Sequence, residues 1–134
     1  NLGLRIYRTA AGFRGIVTNL AFDPRSAQTR ALLNDFGCDP LYVRLCQAQE
    51  SFRARLTPKP WRCGLAAPPV SFPFEGPAEE DEFQQWLRRY RANSAGNATC
   101  RLTRAIGPAA HGEAALLIER HDRETKAASQ LPLA

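Results

Sequence analysis

Runs 4–9 and 13–18 are short, rich in apolar residues and separated by Ala10-Ala11-Gly12. That pattern predicts a β-hairpin, with Gly12 suited to the left-handed position of a three-residue loop. In that register Thr9 faces Phe13, Arg8 faces Arg14 and Ile6 faces Ile16. Like charges opposite each other are unfavourable unless solvent or an anion lies between them. A four-residue loop pairs Arg8 with Phe13 instead and removes the conflict.

Two helices follow, each opened by Asp-Pro. Asp23 and Asp39 are predicted caps, with Pro24 and Pro40 at the first helical position. The first helix is expected to run to about Phe36 and stop at Gly37. The second, ending near Gln49, is expected to turn Leu41, Leu45 and Tyr42 inward. Residues 52–56 then alternate, with Phe52, Ala54 and Leu56 on one side and Arg53 and Arg55 on the other. That period predicts a half-buried strand. Pro58 and Pro60 end regular pairing, because neither can donate to a ladder, and a short extra strand near Trp61 is an option. Residues 64–78 hold Pro68, Pro69, Pro73 and Pro77 and predict an ordered surface loop tacked down by Phe72 and Phe74.

Residues 79–91 form the strongest helical pattern. Phe83, Trp86, Leu87 and Tyr90 share one stripe, acids fill the first turn and arginines the last. A strand over 98–106, with Cys100 and Leu102 inward, precedes a last helix over 111–128. Its inward stripe is Ala114, Leu117, Ile118 and His121. The order β-β-α-α-β-α-β-α predicts an α+β fold, with an antiparallel or mixed sheet of about four strands and helices packed on one face. One domain over 1–134 is expected. The first residue is Asn1 rather than Met, which fits the C-terminal part of a longer chain.

Charge adds an asymmetry. Sixteen of the eighteen basic residues are Arg, a bias that a GC-rich genome gives without functional cause. Residues 1–62 carry ten cations and four acids, whereas 63–134 carry eight cations and nine acids. A basic half points to an anionic partner. The four cysteines form no C-x-x-C pair, and no signal peptide or membrane span is legible, so free thiols and a cytoplasmic location are expected. No cofactor is implied. His111 and His121 are too few, and the cysteines too scattered, for a predicted metal site.

Catalytic motifs are absent: there is no P-loop, no G-x-G-x-x-G and no G-x-S-x-G. His121-Asp122 resembles the dyad of metal-dependent HD phosphohydrolases, but the further histidines those enzymes need are missing. His121 is therefore expected at the edge of the core, beside a solvated Asp122. His111 is expected at the entry to the last helix, though either histidine is a formal candidate for acid–base work.

The hairpin Tyr7-Arg8-Thr9-Ala10-Ala11-Gly12-Phe13-Arg14 resembles one in archaeo-eukaryotic primase–polymerase proteins, where a Thr or Ser, a Gly and a basic residue sit near nucleotide phosphates. Thr9, Gly12 and Arg14 match. The acidic metal-binding pair of that family has no counterpart on a strand here, so the resemblance implies a relative without catalysis. The whole chain also resembles an uncharacterised bacterial protein family, which implies no activity.

The expected function is a non-catalytic binding module for an anionic partner, with nucleic acid as the first candidate. The expected contacts are Arg8, Arg14, Arg53, Arg55, Lys59, Trp61 and Arg62. The cations would meet phosphates and Trp61 would stack. The alternatives are an enzyme of nucleotide or phosphoester chemistry and a protein-interaction domain docking an acidic partner.

Overall fold

Antiparallel pairing along both edges of one central strand builds the sheet. The computed structural model describes residues 1–134. β1 (Leu4–Thr9) lies between β2 (Phe13–Val17) and β3 (Cys100–Ile106), in the order β2-β1-β3. The fold is α+β, and the sheet has three strands rather than about four. No strand forms over residues 52–56, nor near Trp61, where Pro60–Cys63 make one 3₁₀ turn instead.

The hairpin takes the four-residue loop. Arg8 pairs with Phe13 and Tyr7 with Arg14. The loop closes by Thr9 N–H donating to the Gly12 carbonyl at 2.8 Å and Gly12 N–H donating to Thr9 Oγ1 at 3.1 Å. Arg8 no longer opposes Arg14, and its guanidinium lies 5.0 Å from the Phe13 ring centroid. A one-residue change of register moves every side chain of a strand to the other face. Arg14 therefore shares the face of Tyr7, and Arg8 leaves from the opposite one. Between β1 and β3 the register shifts at Ile6/Tyr7. The extra residue, Thr103, donates its hydroxyl to the Ile6 carbonyl at 2.9 Å.

Four α-helices complete the fold: α1 (Ala27–Asp35), α2 (Pro40–Ala48), α3 (Pro77–Ser94) and α4 (Gly112–Thr125). α2 starts as predicted, with Asp39 Oδ1 accepting from Leu41 N–H at 2.8 Å. α1 starts later than predicted. Asp23 Oδ1 accepts from Arg25 N–H in a local turn, and Ser26 supplies the helix cap by accepting from Thr29 N–H. Gly37, at φ +66°, sits just past the end of α1.

Two inward stripes differ from expectation. α2 buries Val43 and Cys46, leaving Leu41 49% and Leu45 40% exposed. α4 buries Ile118 and His121 but leaves Leu117 68% exposed. In helices of nine and fourteen residues, the position of the packing partner selects the buried stripe among overlapping i, i+3 and i+4 choices. α3 keeps its stripe. Trp86 is buried, and Phe74, Phe83, Trp86 and Tyr90 form a ladder with centroids 5.2–5.8 Å apart. Phe74 tacks the proline-rich loop down; Phe72 is 83% exposed.

The core under the sheet is small: Tyr7, Cys100 and Ala127, with Ile16 and Leu102 packed against them. The accessible surface is 9066 Å², against about 7,000 Å² for a compact chain of this mass. Long-range hydrogen bonds from side chains to backbone carbonyls supplement this packing. No helix is long and apolar enough to cross a membrane.

Candidate nucleic-acid interface

The segment carrying the predicted cations, 52–63, is held without a β-ladder. Pro58 and Pro60 have no N–H to give, so the carbonyls are the groups that need partners. Side chains from elsewhere in the fold supply the donors. Arg14 Nη2 on β2 donates to the Arg55 carbonyl at 2.8 Å. The Thr99 hydroxyl, just before β3, donates to the Leu56 carbonyl at 2.9 Å. From α3, Tyr90 Oη donates to the Pro58 carbonyl at 2.6 Å and Asn93 Nδ2 to the Cys63 carbonyl at 3.0 Å. Trp86 Nε1 extends the series to the Ala66 carbonyl at 3.0 Å.

With the carbonyls bound inward, Arg53, Arg55 and Trp61 are exposed, and Lys59 and Arg62 are half-buried. Arg53 and Arg55 do not oppose a buried apolar row, because Phe52 is 45% exposed and Ala54 is exposed as well. Trp61 is 63% exposed, and the Lys59 ammonium stands 5.0 Å from its ring centroid. Arg55, Pro58, Pro60, Trp61, Trp86 and Tyr90 line much of a cleft of about 350 Å³. The predicted set thus divides. Arg55, Lys59 and Trp61 come together, with Arg62 in the adjoining 3₁₀ turn. Arg8 lies on the other face of the sheet, at the hairpin end.

Arg14 is a clamp rather than a free cation. Its Nη1 meets His121 Nε2 at 2.8 Å while its Nη2 holds the Arg55 carbonyl. His121 Nδ1 lies 2.9 Å from Asp122 Oδ1. That carboxylate also accepts from Tyr7 Oη at 2.8 Å and from Arg5 Nη2 at 2.5 Å. Arg5 Nε donates in turn to Tyr7 Oη at 2.8 Å. Asp122 is therefore not the solvated carboxylate the sequence predicts. The signal available beforehand was the period of β1, which puts Arg5 and Tyr7 on one face with a charge pointing toward the core.

Burial and the positive charge of Arg14 lower the His121 pKa, outweighing the Asp122 hydrogen bond. Burial pushes Tyr7 up to about 12, with Asp122 adding to the rise and Arg5 opposing it. Burial also raises the Cys100 thiol. Cys100 Sγ and His121 Nε2, 3.9 Å apart, accordingly lack the thiolate character of an activated pair. Both ring nitrogens of His121 are engaged, so the arrangement is one of support, tying α4 through β2 to the basic segment. His111 is exposed at the start of α4 and caps nothing with its side chain. The four cysteines are unpaired, and no group of three His, Cys, Asp or Glu side chains is placed to hold a metal ion. Comparison with protein-family models, curated proteins and solved structures finds no match to this chain.

Proposed function

We propose that this chain is a non-catalytic binding module for an anionic partner, foremost a nucleic acid. One observation carries the proposal. From Ser51 to Phe74 there are four cations and no acid, on a segment whose carbonyls are tied to the body by Arg14, Thr99, Tyr90 and Asn93. A rigid, acid-free run of cations suits a phosphate backbone, which it would grip without reading sequence. Arg53, Arg55, Lys59 and Arg62 are the proposed phosphate contacts. Phosphoester chemistry gains no support from His121, whose ring nitrogens are both occupied.

The test is anisotropy of a labelled oligonucleotide across a salt series. Four phosphate contacts predict a log–log slope of about −3 on single strands and about −4 on duplex. Changing Arg53 and Arg55 together to Glu should abolish binding and leave the fold intact, since both side chains are exposed. No binding by the parent at low salt would overturn the proposal. Capture of an acidic peptide in its place would transfer the surface to a protein partner.

A further inference from the structure

The cleft beside Trp61 differs from a plain basic surface. Its floor is the Trp86–Tyr90 pair, stacked within 3° of parallel at 5.2 Å. Its walls come from two proline-bearing stretches, Pro58 with Pro60 and Ala67 with Pro68. Trp61 stands in the lining, largely exposed, and Arg55 is the only charged residue there. At about 350 Å³ the space is at the low end of ligand pockets. Such a space suits one planar group rather than a length of folded chain.

We propose that this cleft receives an unpaired base of a single-stranded nucleic acid, stacked against Trp61, with its flanking phosphates on Arg55 and Lys59. The proposal rests on the anion-binding reading above and narrows it to single strands. Aromatic faces beside cations are the means by which proteins hold single strands, and stacking contributes per base whatever the base. The cleft is also poor in free hydrogen-bonding groups. Trp86 Nε1 and Tyr90 Oη donate to the carbonyls of Ala66 and Pro58, which leaves the Thr57 hydroxyl, the Arg55 guanidinium and the Trp61 indole N–H as the free donors of its lining. Bases should therefore be bound with little discrimination among them. A proline-rich peptide would also suit the aromatic floor, but the rim gives no reason for one. Its charges are cations, and a neutral peptide makes no use of them.

The experiment compares three labelled probes of equal length by anisotropy at one low salt concentration: an oligothymidylate, an abasic oligonucleotide with the same phosphates, and a duplex. Stacking of one base predicts that the oligothymidylate binds about 5- to 150-fold more tightly than the abasic probe. Trp61→Ala should bring the two together while leaving the salt slope unchanged. Trp61→Phe should restore most of the difference, which a merely structural role for the indole would not do. Equal affinity of the parent for oligothymidylate and abasic probe would overturn the base site and leave anion binding standing. Tighter binding of duplex than of oligothymidylate would also overturn it. Failure of all three probes to bind would remove the anion-binding reading, and the base site with it. A proline-rich peptide that binds the parent and not Trp61→Ala, where the oligonucleotides fail, would assign the cleft to a protein partner.

Discussion

Arg14 Nη1 lies 2.8 Å from His121 Nε2, across a sequence separation of 107 residues. A guanidinium offers only donors, so Nε2 must present its lone pair. The neutral ring then carries its proton on Nδ1, where it donates to Asp122 Oδ1 at 2.9 Å. The tautomer of His121 is thus set by Arg14, and the same arginine holds the backbone of the proposed binding segment.

This geometry predicts acid sensitivity. The folded-state pKa of His121 is lowered, so the unfolded chain takes up a proton that the folded chain refuses. The stability that His121 contributes is fully present above its unfolded value, about 6.5, and falls as pH drops toward the folded pKa. Urea midpoints should decrease from neutral pH to about pH 5. Arg14→Met should cost about 1–3 kcal/mol at neutral pH by leaving the buried His121 Nε2 without its donor. It should also flatten the acid dependence, because the Arg14 charge is one cause of the lowered pKa. An unchanged acid slope in that variant would show that Arg14 does not control the ring.

Tyr7 should make stability fall at the alkaline end. Its folded pKa of about 12 exceeds the ordinary value of 10, so the folded state keeps a proton that the unfolded state loses. The Tyr7 contribution is complete below pH 10 and is lost as pH rises toward 12. Tyr7→Phe should cost about 1–3 kcal/mol in denaturant titration at neutral pH. It should also remove one late step from the absorbance titration of the phenolates. A variant as stable as the parent would mean that Arg5 and Asp122 satisfy each other without the phenol.

Two glycines with nearly the same positive φ should respond differently to alanine. Gly107, at φ +68°, would place a Cβ 2.4 Å from the Leu2 carbonyl oxygen, whereas Gly37, at φ +66°, has nothing within 4 Å of that position. Gly37→Ala should cost about 1 kcal/mol from backbone strain alone. Gly107→Ala should cost distinctly more, because a backbone atom has to move as well. Equal melting temperatures for the two variants would contradict the close approach of the β3 exit to the chain start.

Trp86→Ala should cost roughly 3–5 kcal/mol, as for other buried large aromatics. The indole stacks on Tyr90 and holds the Ala66 carbonyl. A loss under about 1 kcal/mol in a denaturant titration would show that the α3 stripe is not part of the framework.

Tyr90→Phe combined with Thr99→Val should weaken oligonucleotide binding although no cation is removed. Each change deletes one donor to the 52–63 segment, at the Pro58 and Leu56 carbonyls, and should cost about 1 kcal/mol of net hydrogen bonding. Anisotropy with the parent's salt slope but a weaker Kd is the expected outcome. An unchanged Kd would mean that the segment keeps its shape without these ties.

Much of the framework follows from local chemistry. The Asp39-Pro40 start of α2, the stop at Gly37 and the aromatic stripe of α3 each depend on residues a few positions apart. Cap, backbone angle and helical period are properties of such short stretches. Where two local options were close in merit, the distinction was lost. Asp23 and Ser26 can both cap, and α1 takes Ser26. Leu41 with Leu45 and Val43 with Cys46 are both plausible stripes for α2, and packing against the rest of the fold chose the second.

The candidate site divides along the same line. That residues 53–62 are rich in cations, broken by prolines and marked by Trp61 is a fact of composition, legible in the chain alone. That they form no strand was not legible, because alternation over five residues describes a half-buried strand and an exposed extended loop equally well. The outcome depended on partners far away in sequence. Arg14, Thr99, Tyr90 and Asn93 reach the carbonyls that a neighbouring strand would otherwise have bound. The role of Arg14 depended on one residue of hairpin register. The longer loop keeps Arg8 from facing Arg14 and turns Arg14 toward His121. Local sequence thus determined which segments are helical, which are extended and where the cations lie. Only the tertiary structure decided which cations face solvent and which are spent inside, because hydrogen-bond partners for buried polar groups are found in space and not along the chain.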